Sequence, residues 1–525
     1  MALPRIELPG RSWSRRELLL ASGAAVAAWP LLAGSRSALA QKSLSLPGYP
    51  FTLGVASGDP SPDGFVLWTR LAPKPLEGGG MPGDNVLVNW QVADDEAMSK
   101  IVVQGTAVAT RELAHSVHVE VAGLPPDRWY WYQFSAAGEA SPKGRTRTLP
   151  RLDSMPDRLR FAFASCQHFE TGLYTAYQHM AREDLDLIAH LGDYIYEGGA
   201  SDNMVRQHVG PELHTLEEYR TRYAQYKSDG FLQAAHALCP WLVTWDDHEV
   251  ANNYAAAISE RSDEPPETFL YRRAFAYQAY YEHMPLRRAQ MPRGPDMQLY
   301  RQLAYGRLAG FQILDSRQYR TDQPCGDGNQ APCAGVYDSK GTLLGDAQEQ
   351  WLYKSLDASA ATWNVLTQQV MMARVDRAVG VEQAISMDQW PGYEANRQRV
   401  LKFFGERKSL NPIVLSGDIH TNWVNELQIN SEDEESPVVA TEFVGTSISS
   451  NGDGADQPRN AAQIRSENPF VKYFNGERGY VSCEVTSKLW TSHYRTVAFV
   501  SKPDAPLLTR KTFVVEAGKP GAVEA

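Results

Sequence analysis

Between Phe51 and Thr148 the chain reads as short runs in which apolar and polar residues alternate: FTLGVASGDPSPDGFVLWTRL, VLVNWQVAD, HSVHVEVAGL and RWYWYQFSA, each bounded by Gly, Pro or Asp turns. A period of two marks half-buried strands, and several in succession predict a small β-sandwich over residues 45–150. His115 and His118 fall out of step with the alternation and are expected at the surface. Pro150 and Pro156 bracket a linker. After Arg158 the pattern changes. RLRFAFAS, DLDLIAHLGD, WLVTWDD, WNVLTQQV and NPIVLSGDIH are short apolar runs expected as buried strands. Between them, Thr215-x-x-Glu218 opens LEEYRTRYAQYKSDGFLQAAHAL and Asp346-x-x-Glu349 opens AQEQWLYKSL, both with capping-box spacing. PPETFLYRRAFAYQAYYEHM reads as a third helix. This alternation predicts an α/β domain over 155–515, its helices covering sheet faces.

Composition changes the picture at the N-terminus. The chain has 525 residues and a formal charge of −11, but its first forty carry five Arg and two Glu, a net +3 whose removal leaves −14. So acidic a body argues against nucleic-acid binding through a general positive field. Arg15 and Arg16, an apolar stretch broken by Pro30, and Ala38-Leu39-Ala40 have the order of an export signal over 1–40, with Gln41 the expected mature start. The S-R-R-x-L-L wording is that of a twin-arginine signal, so the precursor's expected partner is the twin-arginine export machinery and its destination periplasmic or secreted. No later stretch is long and apolar enough for a transmembrane anchor. The acidic run SEDEES at 431–436 is expected as a solvated loop.

Of five cysteines, Cys325 and Cys333 flank the turn-rich GDGNQAP and are the candidate disulfide pair. Cys239 and Cys483 sit in apolar strand contexts and read as core. Cys166 closes a strand and reads as a ligand.

The chemistry gathers at strand ends. One exit gives Cys166, a second Asp193 and Tyr196, a third Asp246, Asp247 and His248 with Asn252 and Asn253 beyond, and a last Asp418 and His420. Ligands bind at the carboxyl ends of strands in such sheets. Burying these carboxylates together without a cation would cost several kcal/mol each, roughly, so a multinuclear metal site is expected.

The set SCQ, GDxxY, WDDHE and SGDxH resembles the PhoD-like alkaline phosphatase/phosphodiesterase family, and more distantly the purple acid phosphatases. The resemblance implies a metallophosphatase-like core, a β-sandwich flanked by helices, behind an N-terminal sandwich; LPPDRWYWYQFSAAGEASPKGRTRTLP looks like the end of a fibronectin type III-like domain. It also implies that Asp193 bridges two metals, that Cys166, Tyr196 and His420 hold Fe³⁺, and that Asp247, Asp418 and Asn253 serve Ca²⁺. DDHE stands where purple acid phosphatases have GNHE, and G-D-x-H where they have G-H-x-H. Both changes substitute anionic for neutral ligands and favour a hard cation. His248, beside Asp247, is expected on the substrate side as acid or hydrogen-bond donor. Arg317, or Arg320, is a candidate phosphate clamp. Gln368 and Gln369 are expected to be structural.

The reaction this implies is hydrolysis of phosphomonoesters, phosphodiesters or both by metal-bound hydroxide. Three other readings compete: a phospholipase-type phosphodiesterase using the same metals, a serine nucleophile at Ser316, and a non-catalytic binding protein stapled by metals.

Overall fold

The computed structural model describes residues 46–407, 410–430, 433 and 435–525. The expected export signal and half of the SEDEES run lie outside the described residues.

Two large sheets carry the fold. The first has ten strands, with Leu159–Ala164, Leu187–His190 and Trp241–Val243 parallel at its centre. The second has seven, with Ala309–Ile313, Trp363–Thr367, Pro412–Ser416 and Val438–Val444 parallel. Because side chains alternate across a strand, Phe161, Phe163, Leu187 and Ala189 share one buried cluster with Phe311, Val365, Ile413, Leu415 and Phe443 of the other sheet. Their neighbours Ala162, Ala164 and Ile188 point the other way, into a cluster with residues of helices Leu216–Lys227, Gly230–Leu238 and Pro266–His283. Leu366, Val414 and Val444 likewise pack with helices Gly345–Asp357 and Glu394–Glu406. The layers are therefore helix, sheet, sheet, helix. Both faces of each parallel strand are buried, which explains the unbroken apolar runs, and each large apolar side chain so buried contributes about 1.5–3 kcal/mol.

Several expectations need correction. The Thr215 capping box forms, but the long run after it is two helices, because Asp229 accepts from the N–H groups of Phe231 and Leu232 and starts a second one. Asp346 caps nothing. Thr342 takes that part, its hydroxyl accepting from Leu344 and Gly345, and Asp346 lies in the helix's first turn, where its charge meets the positive end of the dipole. His115 and His118 are not at the surface. His118 stacks on Tyr281 at 4.4 Å and its Nε2 lies 2.9 Å and 3.0 Å from the carbonyls of Tyr281 and Met284. Burial pushes its pKa down to about 4, against the pull of those two carbonyls. It pins the first hundred described residues to the helix Pro266–His283.

That early region is also continuous with the core. Val55–Ser61, Gly64–Arg70 and Ser116–Val121 extend the ten-stranded sheet through the pairing of Gly58 with Trp241, while Val86–Ala93, Ile101–Ala109 and Trp129–Ala136 belong to a separate sheet. The chain's last hairpin, Leu507–Glu516 and Lys519–Glu524, forms the opposite edge of the large sheet and runs past residue 515.

Candidate metal centre where two sheets meet

The carboxyl ends of the parallel strands in both sheets arrive together. Ser165 bridges to Ser447, and the Gln369 amide donates to Thr244 Oγ1 at 2.9 Å, tying an exit of one sheet to an exit of the other. The approach is close enough to dictate glycine. A Cβ on Gly192 would stand 2.5 Å from that of Asp246, and one on Gly417 would stand 2.4 Å from Ser165 Oγ. These are the glycines of GDxxY and SGDxH. Cys166, Asp193, Asn253, Asp418 and His420 all adopt left-handed backbone conformations. For non-glycine residues such strain gathers at functional sites, because it turns side chains sharply out of the strand direction.

One side of the site is built on Asp193. Ligand atoms of Cys166, Asp193 and His420 lie within 4.8 Å of one another. The Tyr196 hydroxyl donates to Asp193 Oδ2 at 2.8 Å, sits 3.1 Å from His420 Nε2, and accepts from Ser450 at 2.7 Å. Asp193 Oδ1 is buried without a hydrogen-bond partner.

The other side is carboxylate-rich. Asp246, Asp247 and Asp418 bring their oxygens within 4.8 Å of one another, and Asp193 forms a similar set with Asp247 and His248. Arg317 lies beneath them, fully buried. Its Nε donates to Asp246 and its Nη1 to Asp388 at 2.7 Å, while Nη2 lies 3.7 Å from both Asp247 and Asp418 with no hydrogen bond of its own. Arg320 also donates to Asp388, at 2.6 Å. Neither arginine is open to substrate, so the expected phosphate clamp is corrected to an internal counter-charge. Charge density explains it: the carboxylates are too many and too buried to stand without a cation among them.

The protonation pattern follows. Burial raises the pKa of Asp193 to about 7, with Asp247 adding to it, and raises Asp418 to about 7 despite Arg317. Burial and Asp193 push the Cys166 thiol up, and the same two causes raise the Tyr196 phenol. Asp247 is the exception: burial opposes its charge, but Arg317, His248 and the Asn253 N–H hold its pKa below the usual range. For His248, burial is outweighed by Glu197, Asp247 and Asp193, which hold the imidazolium. Carboxylates driven towards protonation, an orphaned Asp193 oxygen and a thiol beside a phenol together form a donor set that fits cations. A third set, His168, Glu170 and His208, does not. Both His208 nitrogens are engaged, by the Gly198 carbonyl and the Tyr226 hydroxyl, and Glu170 Oε1 accepts from the Ser201 and His208 N–H groups.

Comparison with known proteins settles the lineage. The profile of the PhoD-like phosphatase family matches residues 161–494, and that of the PhoD-like phosphatase N-terminal domain matches residues 37–150. The chain belongs to the PhoD-like phosphatase family. It is 52% identical over 478 residues to alkaline phosphatase D of Bacillus subtilis (strain 168), covering 90% of this chain and 82% of that protein. A solved structure described as that of PhoD superposes with a TM-score of 0.90 at 51% identity, covering 92% of this chain and 93% of the other. As a member of the family the chain is a hydrolase of phosphoric esters.

With the family in place, the remaining residues can be sorted. Gln368 and Gln369 spend their amides on the scaffold. Ser316 is buried and its hydroxyl meets no base, so nothing activates it as a nucleophile. Cys325 and Cys333 are joined as a disulfide, and Cys239 and Cys483 are buried free thiols. His248 is not confined to a separate substrate side: a ring nitrogen joins Asp193 and Asp247, and Nδ1 lies 2.7 Å from Glu197. Sequence reasoning missed Glu249. Its carboxylate accepts from the N–H groups of Asp193, Tyr194 and Asp246 at 3.1, 2.6 and 2.8 Å, fastening two strand exits to each other. The signal was in plain view as the last letter of WDDHE. Asp388 and Gln389 were missed as well, because they come from an irregular segment that no strand-end rule reaches; Gln389 donates to Asp418 at 2.7 Å.

Proposed function

We propose that this chain is a metal-dependent phosphoesterase that hydrolyses phosphomonoesters, phosphodiesters or both by a single in-line displacement. Asp193, shared by the two halves of the site with one oxygen unpartnered, is the observation that carries the reading. Cys166, Tyr196 and His420 would hold iron with it. Asp247, Asp418 and Asn253 would hold calcium, an oxygen-only set suited to a hard ion. Cations there supply charge neutralisation on the phosphoryl group and activation of water. His248, steadied by Glu197, donates a proton or hydrogen bond to a phosphoryl or leaving-group oxygen. Glu249 keeps the Asp193 and Asp246 exits in register, and Arg317 offsets the carboxylate charge. In this reading the catalytic domain begins near residue 155 and takes in the last hairpin, while residues 45–150 supply an N-terminal sheet together with three strands that extend the catalytic sheet.

Among the described residues no helix is long and apolar enough to cross a membrane. Export through the twin-arginine route completes the proposal, and unprocessed precursor on changing Arg15 and Arg16 together to Lys is its check.

The mechanistic test is stereochemical. A chiral phosphorothioate ester should be hydrolysed with net inversion at phosphorus. Net retention, lost in Ser316→Ala, would replace this mechanism with a covalent phosphoenzyme.

A further inference from the structure

The loop closed by the Cys325–Cys333 disulfide, eight residues apart in sequence, reaches Asn253 at the edge of the candidate site. Its Asp327 carboxylate accepts a hydrogen bond from the side-chain amide of Asn253. Every other polar group of Asn253 save one is also committed. Its backbone N–H donates to Asp247 at 2.8 Å, and its carbonyl accepts from Gln323 at 2.7 Å. Only the side-chain oxygen is left for a ligand. An amide facing a carboxylate must present its nitrogen, since two acceptors repel, so Asp327 decides which way the Asn253 amide points.

Asp327 is itself fixed. Its Oδ1 accepts from the Gly328 N–H at 2.6 Å, and its carbonyl accepts from Gln330 at 3.1 Å. The loop is then anchored next to Asp388: the Gly328 carbonyl accepts from the Met387 N–H at 2.8 Å, and Asn329 and Gln330 pair with Ser386 and Ile385. A segment otherwise free to drift is tied at both ends and along one side.

We infer that Asp327 is a positioning residue for the calcium-side ligand Asn253, holding its amide so that the oxygen faces the cation. The inference rests on the reading of Asn253 as a ligand. Partners that orient a metal ligand change affinity by about 10–100-fold when removed, and a half-exposed loop residue holding a neutral ligand belongs at the lower end of that range.

The test is titration of the purified, iron-containing protein with Ca²⁺ alone, followed by calorimetry, with iron content measured in parallel. Asp327→Ala should weaken calcium binding by about tenfold and leave iron content unchanged. Asp327→Asn has one acceptor oxygen where the aspartate uses two, so it should recover only part of the affinity. Equal calcium affinity in Asp327→Ala and the parent overturns the inference, as does a loss in Asp327→Ala that is matched by a loss of iron content. A parent protein that takes up no calcium overturns instead the reading of Asn253 as a ligand.

Discussion

On the Cys166 side of Asp193 the neighbours are a thiol, a phenol and an imidazole, all uncharged until a proton is lost or gained; on the Asp247 side they are carboxylates packed around the Arg317 guanidinium. Burial acts on both, with different consequences. On the first side it keeps protons on sulfur and on the phenol oxygen, so only a strongly polarising cation displaces them. On the second, Arg317 already offsets part of the charge, and what remains suits a hard divalent ion. The protein tunes one half by softness and the other by an internal counter-charge. Asp193 belongs to both.

The strongest break of that comparison is at the shared residue. Asp193→Asn should lower kcat/KM on the order of 10⁴-fold, about 5.5 kcal/mol of transition-state stabilisation, with both metals falling together in elemental analysis. Asp246→Asn should be far milder, because Arg317 already occupies that carboxylate. The reverse ranking would make Asp246 the ligand.

Next comes the counter-charge. Arg317→Met removes the cation between Asp246 and Asp388 and should cost about 3–5 kcal/mol of stability, the usual result of unpairing a buried ion. Denaturant unfolding reads it directly, and Arg317→Lys should recover part. A Met variant as stable as the parent would mean that bound cations, not Arg317, carry the acidic half.

A smaller effect comes from pH. Asp193 and Asp418 are raised to about 7 and Glu249 to about 8, in each case by burial first. The folded chain therefore keeps protons that the unfolded chain releases above pH ~4. Between pH 7 and 8, above the range in which histidines held neutral by burial, such as His118, act in the opposite direction, the stability of the chelated protein falls as pH rises. Calcium should flatten that slope, because a cation replaces the protons. A melting temperature independent of pH over this range in chelated protein would refute the charge balance drawn here.

What could be read beforehand follows the same division. The candidate ligands at strand exits were legible because period-two runs mark where a strand stops, and Cys166, Asp193, Asp247, Asp418 and His420 stand at those stops. The groups that hold them were not. Glu249 acts through its neighbours' backbone N–H groups, which carry no sequence signature, and Asp388 and Gln389 come from a segment without periodicity. Arg317 was noticed but misassigned, since an arginine after a strand looks the same from sequence whether it faces phosphate or sits beneath carboxylates. In the fold, the Thr215 cap was readable because donor and acceptor lie three residues apart. The Asp346 cap failed because Thr342, four residues earlier, already supplied the acceptor. The half-buried His118 was hidden because its partners, Tyr281 and Met284, lie more than 160 residues away.

The mildest test sharpens the Cys166 side alone. Tyr196 touches Asp193 and His420 but contributes nothing to the carboxylate half, so Tyr196→Phe should leave calcium binding as it is. Losing one of several ligands should cost about tenfold in kcat, near 1.4 kcal/mol. The optical consequence is larger than the kinetic one. A phenolate on ferric iron gives visible charge-transfer absorption, and a thiolate gives its own. Tyr196→Phe should therefore shift or weaken the band of the purified enzyme, and Cys166→Ser should change it differently, because the two donors differ in energy. Ser450 and Asp193, which hold the phenol in place, remain to hydrogen-bond water in the Phe variant, so the fold around the gap should persist and the spectrum can be compared like for like. A colourless, fully active parent would remove iron from this half while leaving the phosphoesterase assignment standing. The soft sulfur of Cys166 and the phenol oxygen of Tyr196 would then need another cation, one that accepts both without absorbing visible light.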